Sequence, residues 1–342
     1  MDELTPRQQA ILSLVIREYI ATAHPVGSRT VVERYGLGIS PATVRNEMAV
    51  LEELGYLTHP HTSAGRVPTE RGYRYFVERL MEQAELPAAE CRMIRHQFHQ
   101  ARPDLEQWLR LAASVLARTV RSAALVSIPR MKQCRFKHLE LIATHGPMVL
   151  LVLVLEGGLI KQQMLTLDAP ISQEALTRAA NRLNEALEGK VADQVDEQTP
   201  RLPPFEAEIA ELVRDIMRRV DAHSGGPLYR DGLIDVLSQP EFRHLETLQR
   251  LLILWEQQSF LEQVLSEFLA LAEGGVQVII GGEQRWEELS PFSMVLARYG
   301  VSGQATGVLG VLGPTRMAYG RAISAVRYVS NLMSELLREL YG

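Results

Sequence analysis

A chain of 342 residues, 46% hydrophobic and 23% charged, is too long for one small domain and ample for large buried cores, so two or three domains are expected. A formal net charge of -5 excludes a chain-wide basic field, and any nucleic-acid binding has to rest on a local patch. Cys91 and Cys134 are isolated thiols without CxxC or Cys/His spacing; this excludes a disulfide framework and a zinc site and fits a reducing, cytoplasmic compartment.

The start, MDELTPRQQ, has acidic and polar residues where a signal peptide needs a basic and then an apolar run. Thr5-Pro6-Arg7-Gln8 reads as a capping box with Pro at the first helical position. Ile11, Leu12, Val15, Ile16, Tyr19 and Ile20 then recur at helical spacing. After a break at His24-Pro25-Val26-Gly27, Ser28 reads as the N-cap of a short second helix bearing Val31, Val32 and Tyr35 and stopping at Gly36. The turn Gly36-Leu37-Gly38-Ile39 delivers Ser40 as the cap of a third helix, which opens with Pro41 and ends near Gly55. A short helix, a Gly-containing turn and a longer helix predict a helix-turn-helix.

On the third helix Val44, Glu47, Met48, Leu51 and Leu54 share one side, while Ala42, Asn46, Ala49 and Glu53 point away, flanked by Thr43 and Arg45. The outward residues of the leading half are small or hydrogen-bonding, and Glu52 and Glu53 are held back to the last turn. A recognition helix enters the major groove with its N-terminal residues, and its dipole favours phosphate. Arg45 can donate twice to guanine, Asn46 can pair with adenine, and the methyls of Ala42 and Thr43 can meet a thymine methyl. A polar outer face is also what any amphipathic surface helix shows, so the next segment carries weight.

That segment, YLTHPHTSAGRVPTERGYRYFV, predicts a strand at Tyr56-Leu57-Thr58, a tip with His61, Thr62, Ser63, Ala64 and Gly65, a return at Arg66-Val67, and a helix from Thr69. A hairpin in this position is a wing, and its acid-free tip suits a phosphate backbone or minor groove. Residues 1–80 hold nine arginines and nine acids, so binding depends on the placement of Arg29, Arg45, Arg66, Arg71 and Arg74, and on two copies of the domain acting together. The expected DNA-contacting set is Ser28, Arg29, Thr30, Ser40, Ala42, Thr43, Arg45, Asn46, His61, Thr62, Ser63, Gly65 and Arg66.

Further along, 84–104 reads as a link and LEQWLRLAASVLARTV as a helix carrying Leu105, Trp108, Leu109, Ala112 and Leu116. Strands are predicted over 124–128, 136–143, 148–155 and 159–165. The run of eight apolar residues from Met148 is far short of the roughly 20 that span a bilayer. A helical stretch follows, broken by the Pro-rich DEQTPRLPPFE, and a long apolar helical stretch covers Leu245 to Leu271. Leu248, Leu251, Leu252, Trp255 and Phe260 within it could feed a subunit interface, although such a stripe is more often intramolecular core. Strands resume at 276–280, 292–299 and 303–312 before a closing helix over 316–340. Strands, a helical middle and strands again predict an α+β domain interrupted by an insertion.

Enzyme signatures are missing. GVSGQATGVLGVLGPTR lacks P-loop spacing, its glycines being better explained by tight turns, and neither HExxH nor GxSxG occurs. No enzyme activity, cofactor or metal is expected.

The stretch PVGSRTVVERYGLGISPATVRNEMAVLEELGYLTHPHTSAGRVPTERGYRYFV resembles the heat-inducible transcription repressor family HrcA of bacteria, and GVLGVLGPTRMAYGRAISAVRYVSNLM resembles that family's C-terminal signature. One departure is Glu283-Gln284, where the family pattern leads one to expect Glu-Asn. The resemblance implies a winged helix (1–83), a link (84–104), a GAF-like domain in two parts (105–170 and 273–342) and an inserted, largely helical dimerisation domain (171–272). It further implies a homodimer that binds an inverted-repeat operator on double-stranded DNA upstream of chaperone operons, is released on heat stress, and has the GroE chaperonin as a partner and no membrane. Two rivals are a metabolite-gated regulator with a ligand in the GAF-like domain, and a winged helix used for protein contacts alone.

Overall fold

The computed structural model describes residues 4–36, 38–60, 65–81, 85–102, 104–129, 133–156, 159–222, 228–271, 275–281, 286–301 and 305–341. The chain divides into two compact units, one of Met1–Pro129, Pro227–Ser302 and Thr306–Gly342, the other of Arg130–Gly226 with Gly303–Ala305.

The first unit opens with α1 (Pro6–Thr22), α2 (Ser28–Tyr35) and α3 (Pro41–Glu53). Thr5 and Gln8 close the expected capping box, and Ile11, Leu12, Val15 and Ile16 are buried. Helix α2 corrects the predicted cap: Gly27 occupies the N-cap, and Ser28 is the first helical residue, buried beneath it. Strands β1 (Leu57–Thr58) and β2 (Val67–Pro68) pair antiparallel, and Arg66 exchanges two backbone hydrogen bonds of 2.9 Å with Val26. The wing is thereby stitched to the segment joining α1 and α2. α4 (Glu70–Tyr75) follows and runs on as a π-helical turn over Phe76–Leu80.

The predicted link is in part a helix, α5 (Ala88–Gln100), with Ile94 and Phe98 buried. Its apolar residues are few, which is why its period is faint in the sequence. α6 (Leu105–Val120), capped by Asp104, buries Trp108, Leu109, Ala112 and Leu116 as expected. β3 (Ala123–Val126) then enters an antiparallel sheet with β7 (Tyr229–Asp231), β8 (Val276–Ile280), β9 (Phe292–Gly300) and β10 (Thr306–Pro314) in the order β7-β3-β10-β9-β8. Alternation sends Ala124, Val126, Val295, Ala297, Leu309 and Val311 to one core, shared with α6, the winged helix and α13 (Tyr319–Tyr341). Ala123, Leu125, Met294, Leu296, Val308 and Leu312 face the other core, built with α10 (Leu233–Leu237), α11 (Leu245–Glu256) and α12 (Gln258–Leu271).

The limits read from the sequence shift accordingly. Residues 245–271, expected within the insertion, cover the five-stranded sheet: Leu251 and Leu254 of α11 and Leu261, Val264, Leu265 and Phe268 of α12 are buried in its second core. Leu252 stays outside at 40% exposure. The strands expected to continue from β3 instead form a sheet of their own in the second unit, in the order β4 (Phe136–Ala143), β5 (Met148–Leu155) and β6 (Ile160–Thr166). Helices α7 (Gln173–Leu187), α8 (Ala192–Gln198) and α9 (Pro204–Ala222) cover one face of it. Strands β4 and β5 alternate buried and outward residues, a period that marks a strand without naming its sheet, and only the pairing assigns them.

The glycines of β10 serve close approach within the strand, where tight turns were expected. A Cβ at Gly307 would lie 2.6 Å from the Tyr299 ring, and one at Gly310 would overlap the Val295 carbonyl and meet Leu296 Cδ2 at 2.6 Å.

Candidate nucleic-acid interface

Helix α3 is anchored from below by Val44, Met48 and Leu51, all at most 3% exposed. Ser40 Oγ accepts from the Thr43 N–H at 3.1 Å and lies 3.0 Å from Thr43 Oγ1, which satisfies one of the four donors that a helix start leaves open. Ala42, Arg45 and Asn46 are exposed on the leading half and Thr43 is half-buried. The structure thus brings together the four expected base readers on one accessible edge.

Two of the three acids of the same helix are turned to other work, and the third, Glu53, is exposed at its far end. Glu47 accepts from Gln8 Nε2 at 3.2 Å and pairs with Arg7 at 3.5 Å, both on α1. Glu52 is bound by His59 and by Arg66 Nε at 2.7 Å. The hydrogen bond from His59 holds the Glu52 carboxyl below the usual carboxylate range; burial works against it and the Arg66 charge adds to it. With two acids neutralised from within, the field at the front of α3 is set by Arg45 and the helix dipole.

The other expected contacts separate. Arg29 and Thr30 are exposed on α2, and Arg29 stands 3.9 Å from Glu33. Arg66 is partly spent on Glu52, Arg71 lies over the Tyr56 ring at 4.6 Å, and Arg74 donates to the Val278 carbonyl at 2.9 Å. Of the five arginines, Arg29, Arg45 and Arg71 are exposed, Arg71 lying over the Tyr56 ring, while Arg66 and Arg74 are half-buried. Gly65 has a reason of its own, since a Cβ there would come within 2.7 Å of the Pro25 backbone. His61, Thr62 and Ser63 lie outside the described residues, as does the Glu283-Gln284 departure.

Sequence reasoning missed the tie between α1 and α2. Glu18, only 4% exposed, accepts from the Tyr35 hydroxyl at 3.0 Å and pairs with Arg34. Its position seven residues after Ile11 was the available signal, for it puts a carboxylate on the core face of α1. The Glu47 and Glu52 pairs leave no such mark, being made across different elements.

A helix with a free leading edge, set on a three-helix core and backed by a hairpin, defines a winged helix-turn-helix, a class built to present one helix to a groove of duplex DNA. The description "Winged helix-turn-helix transcription repressor, HrcA DNA-binding" matches residues 3–81, and "HrcA protein C terminal domain" matches residues 106–323. A heat-inducible transcription repressor HrcA from Roseiflexus castenholzii is 50% identical, covering 99% of this chain and 96% of its own. The one from Chloroflexus aggregans is 48% identical over 99% and 94%. A solved structure described only as a hypothetical protein at 2.2 Å resolution aligns with a TM-score of 0.61 and 25% identity, over 98% of this chain and 99% of that one. The chain belongs to the HrcA family of heat-inducible transcription repressors, with a winged helix followed by a mixed helix-and-sheet region.

Proposed function

We propose that the protein represses chaperone operons by laying α3 of each of two subunits into successive major grooves of an inverted-repeat operator, thereby occluding transcription. The observation that carries this reading is the edge of α3: Ala42, Arg45 and Asn46 are exposed while Glu47 and Glu52 are tied back. Ala42, Thr43, Arg45 and Asn46 are assigned to bases, with Arg29, Thr30 and the wing assigned to phosphates. Ser40 acts by holding the start of α3 and Gly65 by letting the wing close against Val26, while Ser28 is buried as the first residue of α2 and is assigned no contact.

The second subunit is assigned to the insert, whose limits we place near 130 and 226. Its three-stranded sheet is packed on one face, and on the other Ile142, Leu150 and Met164 stand in register and are joined along β5 through Val152, flanked by Glu140 and Gln162, to Val154 and Ile160. Ile160 is 56% and Met164 48% exposed, and a contiguous apolar patch of this kind marks an interaction surface. The five-stranded sheet is the part we take as GAF-like. The GroE chaperonin as partner, the cytoplasm as location and heat release through loss of the DNA-competent dimer rest on the family resemblance. No helix among the described residues is long and apolar enough to cross a membrane. The relatives' shared name as repressors does not favour the metabolite-gated alternative.

The test is binding of an operator duplex and a scrambled duplex across a salt series. Arg45→Ala or Asn46→Ala weakens the operator by about 1 to 3 kcal/mol and spares the scrambled DNA. Equal losses on both, or retention that ignores salt, would remove the base-reading assignment.

A further inference from the structure

We infer that Arg316 is a positioning residue for DNA binding, a clamp that fixes the winged helix on the five-stranded sheet; the operator arm of its test rests on the DNA-binding reading above. Arg316 lies in the turn between β10 and α13 and its side chain is only 13% exposed. Its Nε donates to one carboxylate oxygen of Glu241, its Nη2 to the other at 3.3 Å, and its Nη1 to the carbonyl of Ile20. Ile20 belongs to the last turn of α1, where a helix leaves carbonyls without intrahelical donors and where its dipole attracts positive charge. A single guanidinium therefore joins the sheet's final turn, the segment before α11 and the end of α1. Glu241 holds the fork in the plane that reaches Ile20, a geometry that a point charge on a flexible stem cannot reproduce.

The surroundings make this tie consequential. The Tyr73 and Tyr319 rings meet across the same junction at 5.8 Å, yet the buried Tyr73 hydroxyl finds no partner among the described residues. The aromatic packing alone thus leaves a polar group unsatisfied and does not reward one orientation. Directly after Tyr75 the chain runs through the π turn Phe76–Leu80, a geometry whose looser hydrogen bonding often marks functional bends. Open surface clefts of about 330 Å³ and 470 Å³ flank it, the first lined by Phe76 and Met81, the second by Val77, Glu78 and Met81. The winged helix shares an apolar core with the sheet and α13, and because apolar burial is non-directional, its direction is set by the polar attachments across the junction, of which Arg316 on Ile20 and Arg74 on Val278 are two. Two half-sites one helical turn apart tolerate little freedom in that direction.

The experiment uses the full chain, with Cys91→Ser and spin labels at Thr30→Cys and Glu288→Cys, exposed positions on the winged helix and on the sheet side. With the labelled chain diluted into an excess of unlabelled chain, so that the intrachain pair is read, one narrow distance is expected for the Arg316 protein and a broadened or split one for Arg316→Gln. In parallel, Arg316→Gln should lose at least tenfold in affinity for a duplex with two half-sites and stay within twofold on a single half-site. Arg316→Lys should recover part of the loss, and the milder Glu241→Gln should show it in reduced form if Arg316→Gln does not fold. Unchanged distances overturn the clamp, as do equal losses on both duplexes. Should the parent protein prefer neither duplex to random DNA, the DNA-binding reading fails, while the distances still decide the clamp.

Discussion

The winged helix and the five-stranded sheet are held together by different means. In the winged helix a small apolar core is supplemented by polar ties between elements: Glu18 to Arg34 and Tyr35, Glu47 to Gln8 and Arg7, Glu52 to His59 and Arg66. The sheet is apolar on both faces and is packed so closely that Gly307 and Gly310 leave no room for a Cβ. The contrast teaches that the reading head keeps its outer face clear by using its charges internally, whereas its support tolerates almost no change of volume. The first should respond to pH and to loss of single polar groups, the second to single methyl groups.

The sheet gives the largest expected effect. Gly310→Val should destabilise the protein by about 3 kcal/mol or more, because overpacking a filled site costs roughly 1 to 3 kcal/mol and here the first atom meets backbone. Denaturant unfolding measures it, and a change within 0.5 kcal/mol would show that the strand gives way and that the contrast is overstated.

An intermediate effect is expected from Ser40→Ala. Loss of the cap on Thr43 should cost about 1 kcal/mol of stability and weaken operator and scrambled DNA alike by blurring the start of α3. Specific loss on the operator alone, seen in the same binding series, would make Ser40 a reader instead of a cap.

Smallest is the contribution of Glu52. Its carboxyl is held below the usual range in the folded protein, so its stabilisation is fully present above the unfolded value near 4.5 and is lost as pH falls through the lower folded value. The stability difference between the parent protein and Glu52→Gln should therefore shrink with acidification below about pH 4.5. Unfolding curves between pH 3 and 7 (about one point per unit resolves it) check this, and a pH-independent difference would show that the wing's tie to α3 is not ionic.

The parts legible in advance were those written in local chemistry. Thr5 with Gln8, and Ser40 with Pro41, announced two helix starts to the residue, and the apolar period of α1 and α3 named the buried faces. Strands β4, β5 and β8 fell where alternation and turns put them. The sheet memberships did not, because Val, Leu and Ile at period two specify a strand and not its neighbour. Among the candidate site residues the exposed edge of α3 was legible, while the diversion of Arg66, Arg71 and Arg74 to Glu52, Tyr56 and Val278 was not.

By itself, then, the sequence determined the helix-turn-helix, the wing and the face that α3 turns outward, since caps, turns and periodicity act between residues a few positions apart. The tertiary structure alone decided that α11 and α12 cover the larger sheet, that β4 to β6 stand apart, and that Arg316 reaches Ile20. Those outcomes depend on which surfaces meet, and a guanidinium 296 positions away from its acceptor leaves no periodic trace in the chain.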